Sequence, residues 1–346
     1  MNTCQLSSPR LKAMRLIAGI TLAIASLVPP LLPAETAQPA GSWANALTTG
    51  RVLVMGDSIT QDGRYVSFLE YHLARLGPAS HHDLISIGLS SETLSGLSEA
   101  SHPFPRPGVL ERLERALKAT KPTTVFACYG MNDGIYHPPS PERLQAFTSG
   151  LRRLIEHVRG AGARLVLLTP PVFDAIPLRA KTVPATSPEF GYSKPFVGYD
   201  QVLAEFATAE VAAKDRDVLV VDVHRIMSEA LAKARERDPL FTFTPDGVHP
   251  DDRGHLMIAR AVLSALGYAL ATTDVESAPV SITRDPLYVL VDERRRLRSE
   301  AWLPFVGYQR GDAFKSASVT AAEQVVLRLQ SDIDRLVGVT AAAAAN

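Results

Sequence analysis

Arg51-Val-Leu-Val-Met-Gly-Asp-Ser58 is the stretch whose reading decides the fold. Four consecutive apolar residues, with no polar alternation between them, describe a strand buried on both faces, as strands of parallel sheets are. Gly-Asp-Ser closes the run with residues that favour turns and helix starts. Working outward, the same unit recurs. Tyr65–Leu76 carries Tyr65, Phe68, Leu69, Leu73 and Leu76 at helical spacing, and Asp83–Ile87 is a second strand. Leu110–Ala119 is helical, Thr123–Cys128 is a third strand, and Pro141–Gly160 is a long helix opened by Ser140-Pro141 and closed by glycine. Arg164–Leu168 and Val218–Val221 are the fourth and fifth strands, with helices over Val202–Lys214 and Arg253–Leu266. Strands alternating with helices predict an α/β fold with a five-stranded parallel sheet covered on both faces.

Ligands of such sheets bind beyond the carboxyl ends of the strands. Ser58 follows the first strand, Gly88 the second and Asn132 the third, while Asp246 and His249 lie between the fifth strand and the closing helix. Every candidate therefore falls on one rim. A serine hydroxyl is a weak nucleophile unless a base takes its proton, and an imidazole serves best when a carboxylate fixes its tautomer. Asp246-Gly-Val-His249 holds carboxylate and imidazole three residues apart across a tight loop. The bland alternative there is an Asx turn with an incidental surface histidine. Acyl transfer also needs donors for a tetrahedral oxyanion, and Asn132 and the Cβ-free Gly88 supply candidates on the same rim.

Four segments, Gly56-Asp57-Ser58-Ile-Thr60, Ile87-Gly88-Leu-Ser-Ser-Glu-Thr93, Tyr129-Gly130-Met-Asn132-Asp133 and Asp246-Gly-Val-His249-Pro250, resemble the four blocks of the SGNH (GDSL-type) hydrolase superfamily. The resemblance spans roughly residues 50 to 270. It implies a three-layer flavodoxin-like fold, with Ser58 as nucleophile, His249 as base and Asp246 as its partner. It also implies an oxyanion hole from the Ser58 amide, the Gly88 amide and the Asn132 side chain. The second block departs from the usual pattern, with Ser86 where many members have asparagine and Ser91 where they have glycine.

The rest of the chain sets the context. Arg10, Lys12 and Arg15 precede an apolar stretch from Leu16 to Leu32, the layout of a secretory signal peptide over residues 1–37. Its removal takes three basic residues and Glu35 from totals of 36 basic and 36 acidic, leaving a net charge near −2. No electrostatic footprint for nucleic acid follows, and no stable membrane insertion is expected after cleavage. Only Cys128 would remain, so an internal disulfide is excluded. The expected organisation is residues 48–271 as the hydrolase domain and 272–346 as a helical C-terminal extension. In the latter the run Arg294-Arg-Arg296 with Arg298 reads as a solvated helix face. Two proline-rich loops, His102–Pro107 and Pro170–Pro195, read as lids or binding loops. His81-His82 and His224 have no metal-ligand spacing, and no cofactor motif is present.

The expectation is a periplasmic or secreted esterase without cofactor, acting on a small-molecule or glycan ester and most simply on an O-acetylated carbohydrate. A glycan O-acyltransferase and a lysophospholipase or lipase of the same fold are alternatives. A carbohydrate-binding protein without catalysis is the non-enzymatic one.

Overall fold

The computed structural model describes residues 43–76, 82–268, 278–306 and 318–344, with side chains as far as 338. The expected signal peptide lies outside the described residues. Five strands, β1 (Arg51–Gly56), β2 (Asp83–Ser86), β3 (Thr124–Cys128), β4 (Arg164–Leu168) and β5 (Val218–Val221), pair in the order β2-β1-β3-β4-β5, all parallel. This is the flavodoxin-like order, with the reversal of strand order at β1 and β3. In register, Val54 lies beside Ser86 on one flank and Phe126 on the other.

Side-chain alternation along each strand feeds two cores. Val52, Val54, Phe126, Cys128, Val166 and Leu168 pack to one side, against helices α2 (Arg64–Arg75), α6 (Val223–Arg235) and α7 (Asp252–Ala265). Leu53, Met55, Val125, Ala127, Leu165 and Leu167 pack to the other, against α3 (Leu113–Thr120), α4 (Pro141–Gly160) and α5 (Tyr199–Ala212). The result is three layers. Full burial of side chains such as Leu53 and Met55 contributes about 1.5–3 kcal/mol each, so the two-sided apolar strands carry much of the folding free energy.

The described residues all belong to one compact unit. Beyond α7 come α8 (Ala278–Thr283), α9 (Pro286–Phe305) and α10 (Val319–Ala344), and α9 packs on α2 and on β2, the strand at one end of the sheet. Leu287, Tyr288 and Val291 at the start of α9 join the first core, and Trp302 and Leu303 near its end join the second. One helix thus wraps the sheet edge and covers backbone that would otherwise offer a pairing template.

Two readings of the sequence change here. The arginine run is not a solvated face: Arg294 and Arg295 are buried, and Arg294 donates to Glu70 Oε1 at 2.8 Å. Arg298 pairs with Asp83 at 2.6 Å and Glu323 at 2.8 Å, and only Arg296 of the four stays largely exposed. A charged residue turns inward when a carboxylate waits there, and local pattern does not reveal the carboxylate. The segment between β5 and the Asp246 loop also contains α6, capped by the Asp222 side chain on the Arg225 amide at 3.1 Å.

Candidate active site

The first part of the site is built by α1 (Ser58–Asp62), one short helix directly after β1. The Asp57 carboxylate accepts from the Ile59 amide at 3.0 Å, which starts the helix and sets Ser58 at its first position. Burial pushes the Asp57 carboxyl up to about 7, against the opposing pull of the Ile59 amide and His249.

His249 stands on the loop before α7. Its Nε2 lies 2.8 Å from Ser58 Oγ, and its Nδ1 lies 2.7 Å from Asp246 Oδ2. The other carboxylate oxygen, Oδ1, accepts from the amides of Val248 at 3.0 Å and His249 at 2.7 Å. Gly247 makes this loop possible at φ +80, where a Cβ would be strained. The Asx turn and the carboxylate–imidazole pair are therefore not alternatives. One oxygen of Asp246 builds the turn and the other receives the ring.

A carboxylate on Nδ1 requires the proton there, which leaves the Nε2 lone pair to accept from the serine hydroxyl. Burial works to raise the Asp246 carboxyl, but hydrogen bonds from the His249 ring and the two amides outweigh it and bring it to about 2. The same bond to Asp246 is the main cause that raises His249 above its ordinary 6.5, against burial.

Asn132 follows β3 in a succession of tight turns. Asp133 accepts from the amides of Gly130 at 3.0 Å and Ser95 at 2.7 Å, tying the segment after β3 to the one after β2. The Asn132 side chain is buried, and its Nδ2 makes only a long contact of 3.4 Å to the Glu92 carbonyl. Glu92 itself is held by Arg112, through two bonds of 2.6 Å, and by the Tyr129 hydroxyl at 2.6 Å.

Gly88 is glycine for a reason the sequence did not reveal. A Cβ there would meet the backbone of α1, at 2.2 Å from the Gln61 amide nitrogen. The amides on either side donate to β1 carbonyls, Ile87 to Val54 and Leu89 to Gly56, both at 2.8 Å. Among the described residues the amides of Ser58, Gly88 and Ser91 have no hydrogen-bond acceptor. Ser91, which stands at a usual glycine position, adopts φ +68.

Sequence reasoning missed Arg64. Its Nη2 donates to the Pro250 carbonyl at 3.1 Å, its Nη1 to Asp252 at 2.6 Å and its Nε to Asp62 at 2.8 Å. The start of α2 is thereby clamped to the histidine loop. Beside it, the Tyr65 amide donates to Nδ1 of the fully buried His255 at 3.2 Å. No local pattern marks such contacts, because their partners lie nearly 190 positions away.

The GDSL-like Lipase/Acylhydrolase family matches residues 54–257, more than half of the chain. The chain belongs to that family. It is accordingly an ester-bond hydrolase. Similar solved structures include the acetylxylan esterase Axe2 from Geobacillus stearothermophilus, at 20% identity and TM-score 0.46, covering 66% of this chain and 100% of that one. A gut microbial diltiazem-metabolizing enzyme matches at 18% identity and TM-score 0.45, over 65% of this chain and 49% of that one. No curated protein matches the chain by sequence.

Of the other histidines singled out in the sequence, His81 lies outside the described residues, and His82 and His224 have structural partners. The His82 side chain is buried near Glu70 and Arg294, and His224 Nε2 lies 3.2 Å from Asp200. Among the described residues no group of three or more His, Cys, Asp or Glu side chains is placed to hold a metal ion. The thiol of Cys128 is buried, and burial pushes its pKa up. None of the described helices is long and apolar enough to cross a membrane.

The two proline-rich loops meet beside Asn132. The His102 ring packs on Phe104 and Tyr192, with centroids 4.5 and 5.3 Å apart, and the His137 ring on Phe190 at 5.1 Å. Tyr136 is buried, and its hydroxyl donates to Asn132 Oδ1 at 3.3 Å.

Proposed function

We propose that Ser58 is the nucleophile, His249 the general base and Asp246 the group that orients and charges the base. The observation that carries this reading is the unbroken chain Ser58 Oγ–His249 Nε2–His249 Nδ1–Asp246 Oδ2, with contacts of 2.8 and 2.7 Å. Ser58 Oγ attacks the ester carbonyl while His249 takes its proton. The tetrahedral intermediate collapses, the imidazolium gives that proton to the departing alcohol, and an acyl-enzyme forms. Water, deprotonated by His249, then attacks the acyl carbonyl. The second tetrahedral intermediate collapses by breaking the Ser58 Oγ–acyl bond, the imidazolium returns the proton to Oγ, and the carboxylic acid is released. The oxyanion is received by the Ser58 amide, the Asn132 Nδ2 and an amide of the segment after β2, where Gly88 and Ser91 both have free donors.

The substrate we propose is an O-acylated carbohydrate met outside the cytoplasm. The apolar, basic-flanked N-terminal stretch supports export. Tyr192, half exposed where the two loops meet, offers the flat apolar face that sugar rings stack on. The test is labelling with a serine-directed phosphonate and mapping of the adduct. The reading expects modification at Ser58 and none in Ser58→Ala. An active preparation labelled elsewhere would falsify it. A panel of aryl esters from acetate to long chains, run beside acetylated xylan and pectin, separates carbohydrate deacylation from lipase activity. Adding a glycan acceptor separates hydrolysis from acyl transfer.

A further inference from the structure

Arg106 sits in the proline-pinned loop 102–107 and reaches Asn132 while being buried itself, with a side chain 2% exposed. Its Nη1 donates to Asn132 Oδ1 at 2.9 Å. Its Nε and Nη2 donate to the two oxygens of Glu99 at 2.6 and 2.7 Å, a bidentate pair whose carboxylate is 1% exposed. Glu99 Oε1 also accepts from the Tyr192 amide at 3.2 Å, so the same pair holds the long loop of residues 170–195. Tyr136 adds its hydroxyl to Asn132 Oδ1, and the guanidinium carbon of Arg106 lies 5.5 Å from the Tyr136 ring centroid.

This arrangement decides something the Asn132 carboxamide cannot decide alone. An amide side chain has an accepting end and a donating end of nearly the same shape, and can present either. A guanidinium has donors only. It therefore holds the oxygen of Asn132 and repels its NH2, which leaves the NH2 directed away from Arg106. Glu99 in turn fixes the guanidinium, because a bidentate pair defines a plane as well as a position. The loop's contribution is orientation.

The geometry points to Arg106, anchored by Glu99, as a positioning residue that fixes which end of the Asn132 carboxamide faces the reacting carbonyl. The inference rests on the reading of Asn132 as an oxyanion donor and adds what makes it one. A donor aligned in advance stabilises the transition state without reorganisation at the moment of reaction, whereas a carboxamide free to flip spends part of its time presenting an oxygen to a forming anion. The expected signature of losing Arg106 is a fall in kcat with KM little changed.

Two variants test this in the full-length protein. Arg106→Met combined with Glu99→Gln removes both charges together, so no buried ion is left unpaired. Arg106→Lys keeps a cation beside Glu99, but its single nitrogen cannot serve Glu99 and Asn132 in the same geometry. Each is compared with Asn132→Ala, and each is also made in the Asn132→Ala background, with steady-state kinetics on an aryl acetate. Asn132→Ala is expected to lower kcat about 10²–10³-fold. The Arg106 variants are expected to lower it about tenfold or more with KM within about twofold, and to add nothing once Asn132 is gone. If Asn132→Ala leaves kcat unchanged, the role of Asn132 fails, and this inference with it. If Asn132→Ala is damaging but the Arg106 variants keep wild-type kcat, or lower it by the same factor without Asn132, the positioning role alone is overturned.

Discussion

The guanidinium of Arg64, at the start of α2, donates to the carbonyl of Pro250, the residue that follows His249. Ser58 precedes this arginine by six positions, so one side chain spans the two segments whose separation sets the 2.8 Å contact between hydroxyl and imidazole. Arg64→Met should loosen that registry. Its ion-pair partners Asp62 and Asp252 are about as exposed as it is, with side chains 35% and 43% accessible, so stability should fall by less than about 1 kcal/mol. Turnover is the sensitive readout, with a drop of about tenfold expected from a misplaced base. Thermal unfolding and aryl acetate kinetics on the same preparation check both halves. A variant with intact kcat would remove Arg64 from the account of the site.

The pH profile follows from the pair His249–Asp246. As the proposed base, His249 would work only when neutral, and its pKa is raised above 6.5 chiefly by the hydrogen bond to Asp246. kcat/KM should therefore be low in acid and rise with pH, with its midpoint above 6.5. Asp246→Asn removes the main raising cause, so the midpoint should move down. It also invites the wrong tautomer, at a cost of about 10²–10⁴ in kcat. Asp57 is a lesser raising cause and, with its carboxyl pushed up to about 7, is only partly charged near the midpoint, so Asp57→Asn should move it the same way by less. A profile flat from about pH 5 to 8 would exclude His249 as the base.

The strands were legible because burial on both faces leaves a run of apolar residues that little else explains. All five agree with the sequence reading to within a residue at either end. The rim was legible too, since Ser58 and Asn132 each follow a strand and His249 precedes α7. What the sequence hid falls into two kinds. The helix α6 buries only a narrow apolar stripe, Val223, Met227 and Leu231, and α1 is too short to show a period. The arginines were hidden differently. Arg294, Arg106 and Arg64 look like ordinary surface cations, and their burial or clamping depends on Glu70, Glu99 and Pro250, which chain folding brings to them. In the Arg294 pair the two residues are 224 positions apart.

Gly88 offers a test of packing rather than of chemistry. An alanine Cβ would lie 2.2 Å from the Gln61 nitrogen and 2.3 Å from the Thr60 carbonyl carbon, both backbone atoms that cannot swing aside. Gly88→Ala should displace α1, and with it Ser58. A loss of about 1–3 kcal/mol in stability is expected, together with a fall in activity of tenfold or more. Gly160→Ala is the control, because nothing lies within 4 Å of its added Cβ. That variant should be neutral or more stable by up to about 1 kcal/mol, through the reduced freedom of its unfolded chain. Equal behaviour of the two variants in urea unfolding would contradict the close approach at Gly88.

The clamp of α9 on the sheet domain can be measured at Arg294. Glu70 is 2% exposed, its Oε1 accepts from Arg294 Nη2 at 2.8 Å, and its Oε2 has no hydrogen-bond partner. Removing the arginine leaves a carboxylate buried without its cation, and such a loss costs about 3–5 kcal/mol, where an exposed pair would cost less than 1. Arg294→Met should therefore be strongly destabilising, whereas Arg294→Met with Glu70→Gln should recover most of the loss because no charge remains to be solvated. Urea unfolding of the two variants beside the parent gives the comparison directly. A single variant as stable as the parent would mean that α9 is held without this pair, by its other polar ties such as Arg298 to Asp83 and by its apolar contacts through Leu287, Tyr288, Val291, Trp302 and Leu303.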